Sequence, residues 1–244
     1  MERIICLLIG YVFGLFQTAY FYGKLHGIDI RQYGSGNAGT TNTLRVLGTK
    51  AGLIVLAGDC LKCMAAIWVV RFIFGAAHPD IIYLLSLYAA AGAILGHNYP
   101  FYMGFKGGKG IAATAGLILA FHPYFIVMGV VIFFGIFFTT HYVSLGSLLV
   151  YLGLIIEMVV CGQMGLFAGM SQAQLYEMYA LTFALAVLAY WKHRENIVRL
   201  IHGNERKTYL TKKNKVDVEE SADGSREKSS DSAGKQNPGR TAEK

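Results

Sequence analysis

Residues 34–45 read Gly-Ser-Gly-Asn-Ala-Gly-Thr-Thr-Asn-Thr-Leu-Arg. Glycine permits positive φ and close backbone approach. Ser35, Asn37 and Asn42 supply neutral donors, and the Arg45 guanidinium can fork two phosphate oxygens. Such a loop can cradle a phosphate through backbone N–H groups. A second segment runs Gly96-His97-Asn98-Tyr99-Pro100 and then Phe105-Lys106-Gly107-Gly108-Lys109-Gly110. A glycine pair between two lysines, just ahead of a predicted helix, is again suited to an anion. It is not a Walker A loop: its spacing fails and Gly110 stands where Ser or Thr is required, so ATP or GTP is not implied. Lysines snorkelling to a membrane interface and a satisfied buried His97 are the plainer alternatives. A third segment, Lys192-His193-Arg194-Glu195-Asn196-Ile197-Val198-Arg199-Leu200, closes on Gly203-Asn204-Glu205. On a helix His193, Asn196 and Leu200 share a face. A basic stop-transfer end capped at Gly203 would need neither the histidine nor the asparagine.

The three segments offer two anion-binding loops and a His/Asn pair. They contain no carboxylate dyad, no H-e-x-x-H-type metal pattern and no G-x-S-x-G nucleophile elbow. Such a set suits a soluble phosphorylated substrate meeting a lipidic one. A transporter of a phosphorylated metabolite is the rival class. It would show internal repeats and polar groups at mid-membrane, whereas these groups gather at one interface.

The elements that carry them are apolar. Of 244 residues 54% are hydrophobic and only 15% charged, against about 25% charged in a soluble domain. This predicts an all-α polytopic membrane protein and excludes an ordinary soluble globule or a disordered chain. Apolar runs fall at 4–23, 51–75, 81–103, 111–140, 143–161 and 175–191. Asp59 and Lys62, spaced i, i+3 in the second run, can neutralise each other. Cys6, Cys60, Cys63 and Cys161 lie in apolar stretches and read as small core residues. Outside residues 206–244, nine of the twelve basic residues lie in or beside the three polar segments. The positive-inside rule puts these segments on the cytoplasmic side, which argues against nucleic acid as the basic chain's partner. That parity is met if the 111–140 run crosses twice, with His122-Pro123 as the break. It then gives seven spans, N-terminus outside and C-terminus cytoplasmic. Five spans, with 111–140 crossing once and one later run not crossing, keep the same parity. Residues 1–205 form the membrane domain. Residues 206–244, rich in Ser, Lys, Glu and Gly, are expected to be a disordered cytoplasmic tail.

Over residues 1–205 the sequence resembles the acyl-phosphate-dependent glycerol-3-phosphate acyltransferases of bacterial membranes, the PlsY family. GSGNAGTTNTLR, GHNYPFYMGFKGGKGIAAT and KHRENIVRLIHGNE are similar to that family's three cytoplasmic motifs, in order. Lys192, where Arg is usual, and Cys63, where Gly is usual, are small departures. The resemblance implies transfer of an acyl group from acyl phosphate to the sn-1 hydroxyl of glycerol 3-phosphate. The products are lysophosphatidic acid and phosphate, in phospholipid biosynthesis. It implies no cofactor and no metal, a cytoplasmic-membrane location with the site facing the cytoplasm, and membrane lipid and other phospholipid-synthesis enzymes as partners. An acyl phosphate is already activated, so positioning and charge stabilisation are the main demands. Ser35, Arg45 and Lys106 are then expected at the substrate phosphates. Gly107, Gly108 and Lys109 would form the donor's backbone cradle. Asn37, Asn42 and His97 would shape the site or touch substrate, and His193 and Asn196 would orient the hydroxyl or carbonyl. Ser144 resembles a further family site residue. The proton acceptor is left open between His193 and a donor phosphate oxygen.

Overall fold

A computed structural model describes residues 1–167 and 169–210, and its regular elements are all helical. The α-helices are α1 (Glu2–Gly14), α2 (Thr18–Leu25), α3 (Thr40–Leu47), α4 (Thr49–Phe74), α5 (Ile82–Asn98), α6 (Ile111–Phe121), α7 (Pro123–Thr140), α8 (Val143–Gln163), α9 (Gln172–Lys192) and α10 (Arg194–Ile201). Five stretches are long and apolar enough to cross a membrane: Glu2–Leu25, Thr49–Phe74, Pro79–Met103, Pro123–Thr140 and Val143–Gln163. Large apolar side chains such as Leu61, Phe72, Val131, Phe138 and Phe183 face outward, the inverse of a water-soluble surface.

The expected first run, 4–23, is not one helix. It breaks between Gly14 and Thr18, where the buried Gln17 amide donates to the carbonyls of Gly14, Gly96 and His97 at 3.1–3.2 Å. The side-chain amide thus satisfies carbonyls at the α1 and α5 ends in place of intrahelical bonds. The 111–140 run also divides, and here the sequence anticipated the place. His122 ends α6 in an extended conformation and Pro123 opens α7, where its missing N–H costs nothing. The Arg71 guanidinium, from α4, caps the break by donating to the Phe121 carbonyl at 2.8 Å.

Contacts fix the direction of each helix. α1 and α5 run parallel at very close range. A Cβ added to Gly10 would lie 1.9 Å from the Ala89 carbonyl oxygen, and one on Gly92 would lie 2.0 Å from that of Leu7. Small residues at positions 10, 14, 92 and 96 let the two backbones meet. α4 is antiparallel to α5, pairing Lys62 with His97 and Arg71 with Ser86. α6 follows α4 in parallel, from the Cys60 thiol on the Ala112 carbonyl to Arg71 on Phe121. α7 turns back on α6, α8 on α7 and α9 on α8, as the neighbours Gly129–Ile118, Gly146–Phe133 and Tyr190–Leu148 show. The three polar segments and the 141–142 turn therefore gather at one end. At the other end Phe121, Phe125, Phe167 and Tyr83 form an aromatic cluster. There the Arg3 guanidinium donates to both Glu177 oxygens at 2.5 and 2.8 Å, which ties α1 to α9.

The expected Asp59–Lys62 pair forms at 2.8 Å and is buried. Thr18 donates to Asp59 at 3.0 Å, and Lys62 also donates to the Phe16 carbonyl and to His97 Nδ1. The four cysteines are free thiols within the helices. Residues 206–210 pack on the domain, so the expected boundary at 205 falls inside a packed segment. Residues 211–244, the rest of the expected tail, lie outside the described residues.

Candidate active site

The polar end holds one cavity of about 910 Å³, lined by residues of all three sequence segments. Ser35, Asn37, Thr40, Arg45, Lys106, Gly107, Lys109, Ser144, His193 and Asn196 all reach its wall. α6 begins opposite Cys60, eleven residues into α4. At 1.5 Å per residue the segment ahead of α6 is recessed by about 16 Å from the start of α4. That recess leaves an apolar flank of Leu53 and Leu56 on α4 and Phe133, Phe134 and Phe137 on α7.

In the first loop Asn42 is a scaffold. Its Oδ1 accepts from the Ser35 backbone at 2.8 Å and from the Ser35 hydroxyl at 3.1 Å, while its Nδ2 donates to the Ile30 and Tyr33 carbonyls. Every hydrogen-bonding atom of this buried amide is committed to the loop, so of its two expected roles Asn42 takes that of shaping the loop and not that of a substrate contact. α3 starts directly after the loop, with its first backbone bond from Thr43 N–H to the Gly39 carbonyl. The preceding amides of Thr40, Thr41 and Asn42 are orphan donors of a helix N-terminus. The Thr40 hydroxyl beside them is buried and unpaired. It lay within the motif but was not singled out from sequence, because an internal Thr there is indistinguishable from a helix cap.

The second loop needs a sharper correction. The Gly107 and Gly108 amides already donate to the Asn98 and His97 carbonyls, at 3.2 and 3.1 Å. They are therefore not the anion cradle. The reason for glycine is steric: a Cβ on Gly108 would lie 2.1 Å from His97 Nε2, and one on Gly107 would lie 2.0 Å from the His97 carbonyl oxygen. The orphan amides are instead those of Ile111, Ala112 and Ala113 in the first turn of α6, since the first backbone bond there is Thr114 N–H to Gly110. His97, expected to shape the site or touch substrate, lines the cavity while it is buried against Lys62 and Gly108 and supports the loop. Lys106 is exposed at the cavity rim.

The third segment bends at His193, between α9 and α10. His193 Nδ1 lies 2.8 Å from the Ala189 carbonyl. A carbonyl only accepts, so Nδ1 carries the proton and Nε2 is the ring's acceptor. Burial, reinforced by the Lys109 charge, pushes the His193 pKa down to about 4. The ring is therefore neutral at pH 7. Lys109 donates to Asn196 Oδ1. Burial and the nearby Arg199 charge bring the Lys109 pKa down to about 8, with Glu205 opposing. Burial also lowers that of Arg45, which stays cationic.

Glu205 is the functional residue that sequence reasoning missed. Its buried carboxylate accepts from Ser144 at 3.1 Å, Asn196 Nδ2 at 2.7 Å and Arg199 Nε at 2.8 Å. Read from sequence it was only the end of a helix cap. Its signal was being the sole acid of a basic segment's end, which is too weak to act on.

A multi-helical membrane protein with a recessed cationic cleft at one end of its bundle is the class that fold and site define. The sequence profile described as glycerol-3-phosphate acyltransferase matches residues 4–203. The chain belongs to this family, the PlsY glycerol-3-phosphate acyltransferases. A glycerol-3-phosphate acyltransferase of Halalkalibacterium halodurans is 41% identical over 209 residues, covering 85% of this chain and 96% of the relative. One of Staphylococcus saprophyticus is 38% identical over 210 residues, covering 85% and 98%. The crystal structure of PlsY, an integral membrane glycerol 3-phosphate acyltransferase, in its glycerol 3-phosphate form superposes with a TM-score of 0.71 at 30% identity. It covers 86% of this chain and 96% of that one. The lysophosphatidic acid form gives 0.70 at 28% identity, covering 86% and 97%.

Proposed function

We propose that this protein transfers an acyl group from acyl phosphate to the sn-1 hydroxyl of glycerol 3-phosphate, releasing phosphate and 1-acyl-glycerol 3-phosphate. The carrying observation is that two helix N-termini, α3 and α6, line one cationic cavity that continues into an apolar flank. Each N-terminus presents orphan amides and a positive dipole end to a phosphate. Two such ends suit two phosphorylated substrates.

The apolar flank favours one assignment of the two. Leu53, Leu56, Phe133, Phe134 and Phe137 lie beside the deeper α6 end, so the acyl chain lies there and its phosphate sits on α6 with Lys109. Glycerol 3-phosphate enters from water and takes the outer position, with Ser35, the α3 N-terminus, Arg45 and Lys106 at its phosphate. Its sn-1 oxygen attacks the acyl carbonyl carbon, the bond from that carbon to the phosphate oxygen breaks, and phosphate departs. Among the described residues Ser35 and Ser144 bond to Asn42 and Glu205 and not to a histidine, which favours direct attack over an acyl-enzyme. His193 Nε2 accepts a hydrogen bond from the attacking hydroxyl. A ring with so low a pKa is a poor proton sink, so the proton passes to a phosphate oxygen of the donor. Ser144 and Glu205 hold Asn196 in register.

The chain would pass the bilayer seven times, by α1 with α2 and then by α4, α5, α6, α7, α8 and α9, with the short α6 recessed from the cavity end. The N-terminus would be outside and the site at the cytoplasmic face, as the clustering of lysine and arginine at this end favours. Purified protein given palmitoyl phosphate and labelled glycerol 3-phosphate should yield lysophosphatidic acid. Absence of that product from folded protein would refute the proposal.

A further inference from the structure

Beyond α10, Glu205–Leu210 crosses the cavity mouth as a strap. Glu205 joins Ser144 on α8, the Thr208 N–H donates to the His141 carbonyl at 2.9 Å, and Tyr209 packs on His141 with ring centroids 4.7 Å apart. On the opposite wall the Thr49 hydroxyl donates to the Leu210 carbonyl at 3.2 Å. Between these anchors the strap meets Arg45. One guanidinium nitrogen, Nη2, donates to Thr208 Oγ1 at 2.7 Å and to the Arg206 carbonyl at 3.2 Å. Thr208 is 2% exposed, so its hydroxyl is held in place by packing as well as by its backbone bond. This segment lies past residue 203, where the family match ends.

An arginine N–H meets a phosphate oxygen in a fixed direction only when the plane of its guanidinium is held. With Nη2 held by the strap, Nε and Nη1 make no other hydrogen bond among the described residues. We propose that Thr208 is a positioning residue: it fixes the Arg45 guanidinium so that its remaining donors meet the phosphate of glycerol 3-phosphate. This rests on the function proposed above and extends the site beyond its three motifs. Because a bound phosphate is held in both ground and transition states, loss of the positioning contact raises KM and leaves kcat nearly unchanged.

Thr208→Val keeps the volume and removes the hydroxyl acceptor; Thr208→Ser keeps the acceptor. In steady-state assays with both substrates varied, Thr208→Val should raise KM for glycerol 3-phosphate about five- to tenfold. Its kcat and its KM for palmitoyl phosphate should stay within about twofold, and Thr208→Ser should match wild type. An unchanged KM in Thr208→Val, an equal loss in Thr208→Ser, or a loss confined to kcat would overturn the assignment. Thr208→Ala, read by thermal stabilisation with glycerol 3-phosphate alone, serves if Thr208→Val does not fold. Stabilisation equal to wild type overturns the assignment, and weaker stabilisation supports it. Wild type that forms no lysophosphatidic acid defeats the functional proposal and this inference with it, whereas active wild type beside an unaltered Thr208→Val defeats only the positioning role.

Discussion

Lys109 and His193 are neighbours whose burial moves both toward their neutral forms, with different consequences. The Lys109 pKa is brought down to about 8. A lysine is cationic below its pKa, so the charge is present at pH 7 and is lost as pH rises through 8. The value of kcat/KM should therefore fall above about pH 8, and Lys109→Arg should remove that basic limb while keeping charge. The His193 pKa, pushed down to about 4, makes no limb near neutrality. The substrate phosphates titrate near pH 6, but do so identically for every variant, so paired pH–rate profiles of wild type, Lys109→Arg and His193→Gln isolate the enzyme groups. Glu205 tests the scaffold. Removing its carboxylate strands Ser144, Asn196 Nδ2 and Arg199. Glu205→Ala should cost about 3 kcal/mol of stability, seen as a lower unfolding midpoint in detergent. The residue types proposed to bind phosphate were legible in the sequence because Gly, Lys, Arg and Asn clusters are rare in apolar chains. Which atoms are free to do so was not: whether the Gly108 N–H is available depends on the His97 carbonyl, eleven residues earlier, folding back over it.

At the scale of elements, the length of α6 matters most. Eleven residues span about 16 Å, so the helix starts deep and leaves the opening that the apolar flank fills. The sequence disclosed the His122-Pro123 break because proline is a local signal. It did not disclose the Leu15–Gln17 break, whose cause is Gln17 reaching carbonyls eighty residues away. The glycines at 10, 14, 92 and 96 were visible too, but their spacing alone does not say which helices meet. Their contact makes a prediction. Gly92→Leu would drive a side chain into the α1 backbone, where even a Cβ is 2.0 Å from the Leu7 carbonyl oxygen. It should abolish the folded, active protein in detergent chromatography. Gly135→Leu on α7, with nothing within 4 Å of an added Cβ, should leave yield and activity close to wild type.

For the whole molecule the decisive quantity is which end faces the cytoplasm and how many times the chain crosses. Basic residues gather at the cavity end, while the other end carries the Arg3–Glu177 pair and the aromatic cluster. Helix directions place residues 26–48, 99–110, 141–142 and 193–210 at the cavity end, and residues near 76–80, 122, 164–167 and 169–171 at the other. α9 falls outside the long apolar helices, because its run is interrupted by polar groups including Glu177, yet that carboxylate is answered by Arg3 and Tyr88. A paired charge of this kind can be accommodated in a span. Cysteine accessibility distinguishes the two crossing schemes. In a background with the four native cysteines replaced, single cysteines at His122 and at Ser171 should react with a membrane-impermeant maleimide added to intact cells. Cysteines at His141 and Asn204 should react only after the membrane is opened. If His122 is shielded in intact cells while Ser171 behaves as expected, the 111–140 segment does not cross twice. The glycine-rich second loop and the 141–142 turn would then lie on opposite faces, and the common cytoplasmic cleft on which the proposed chemistry depends could not form.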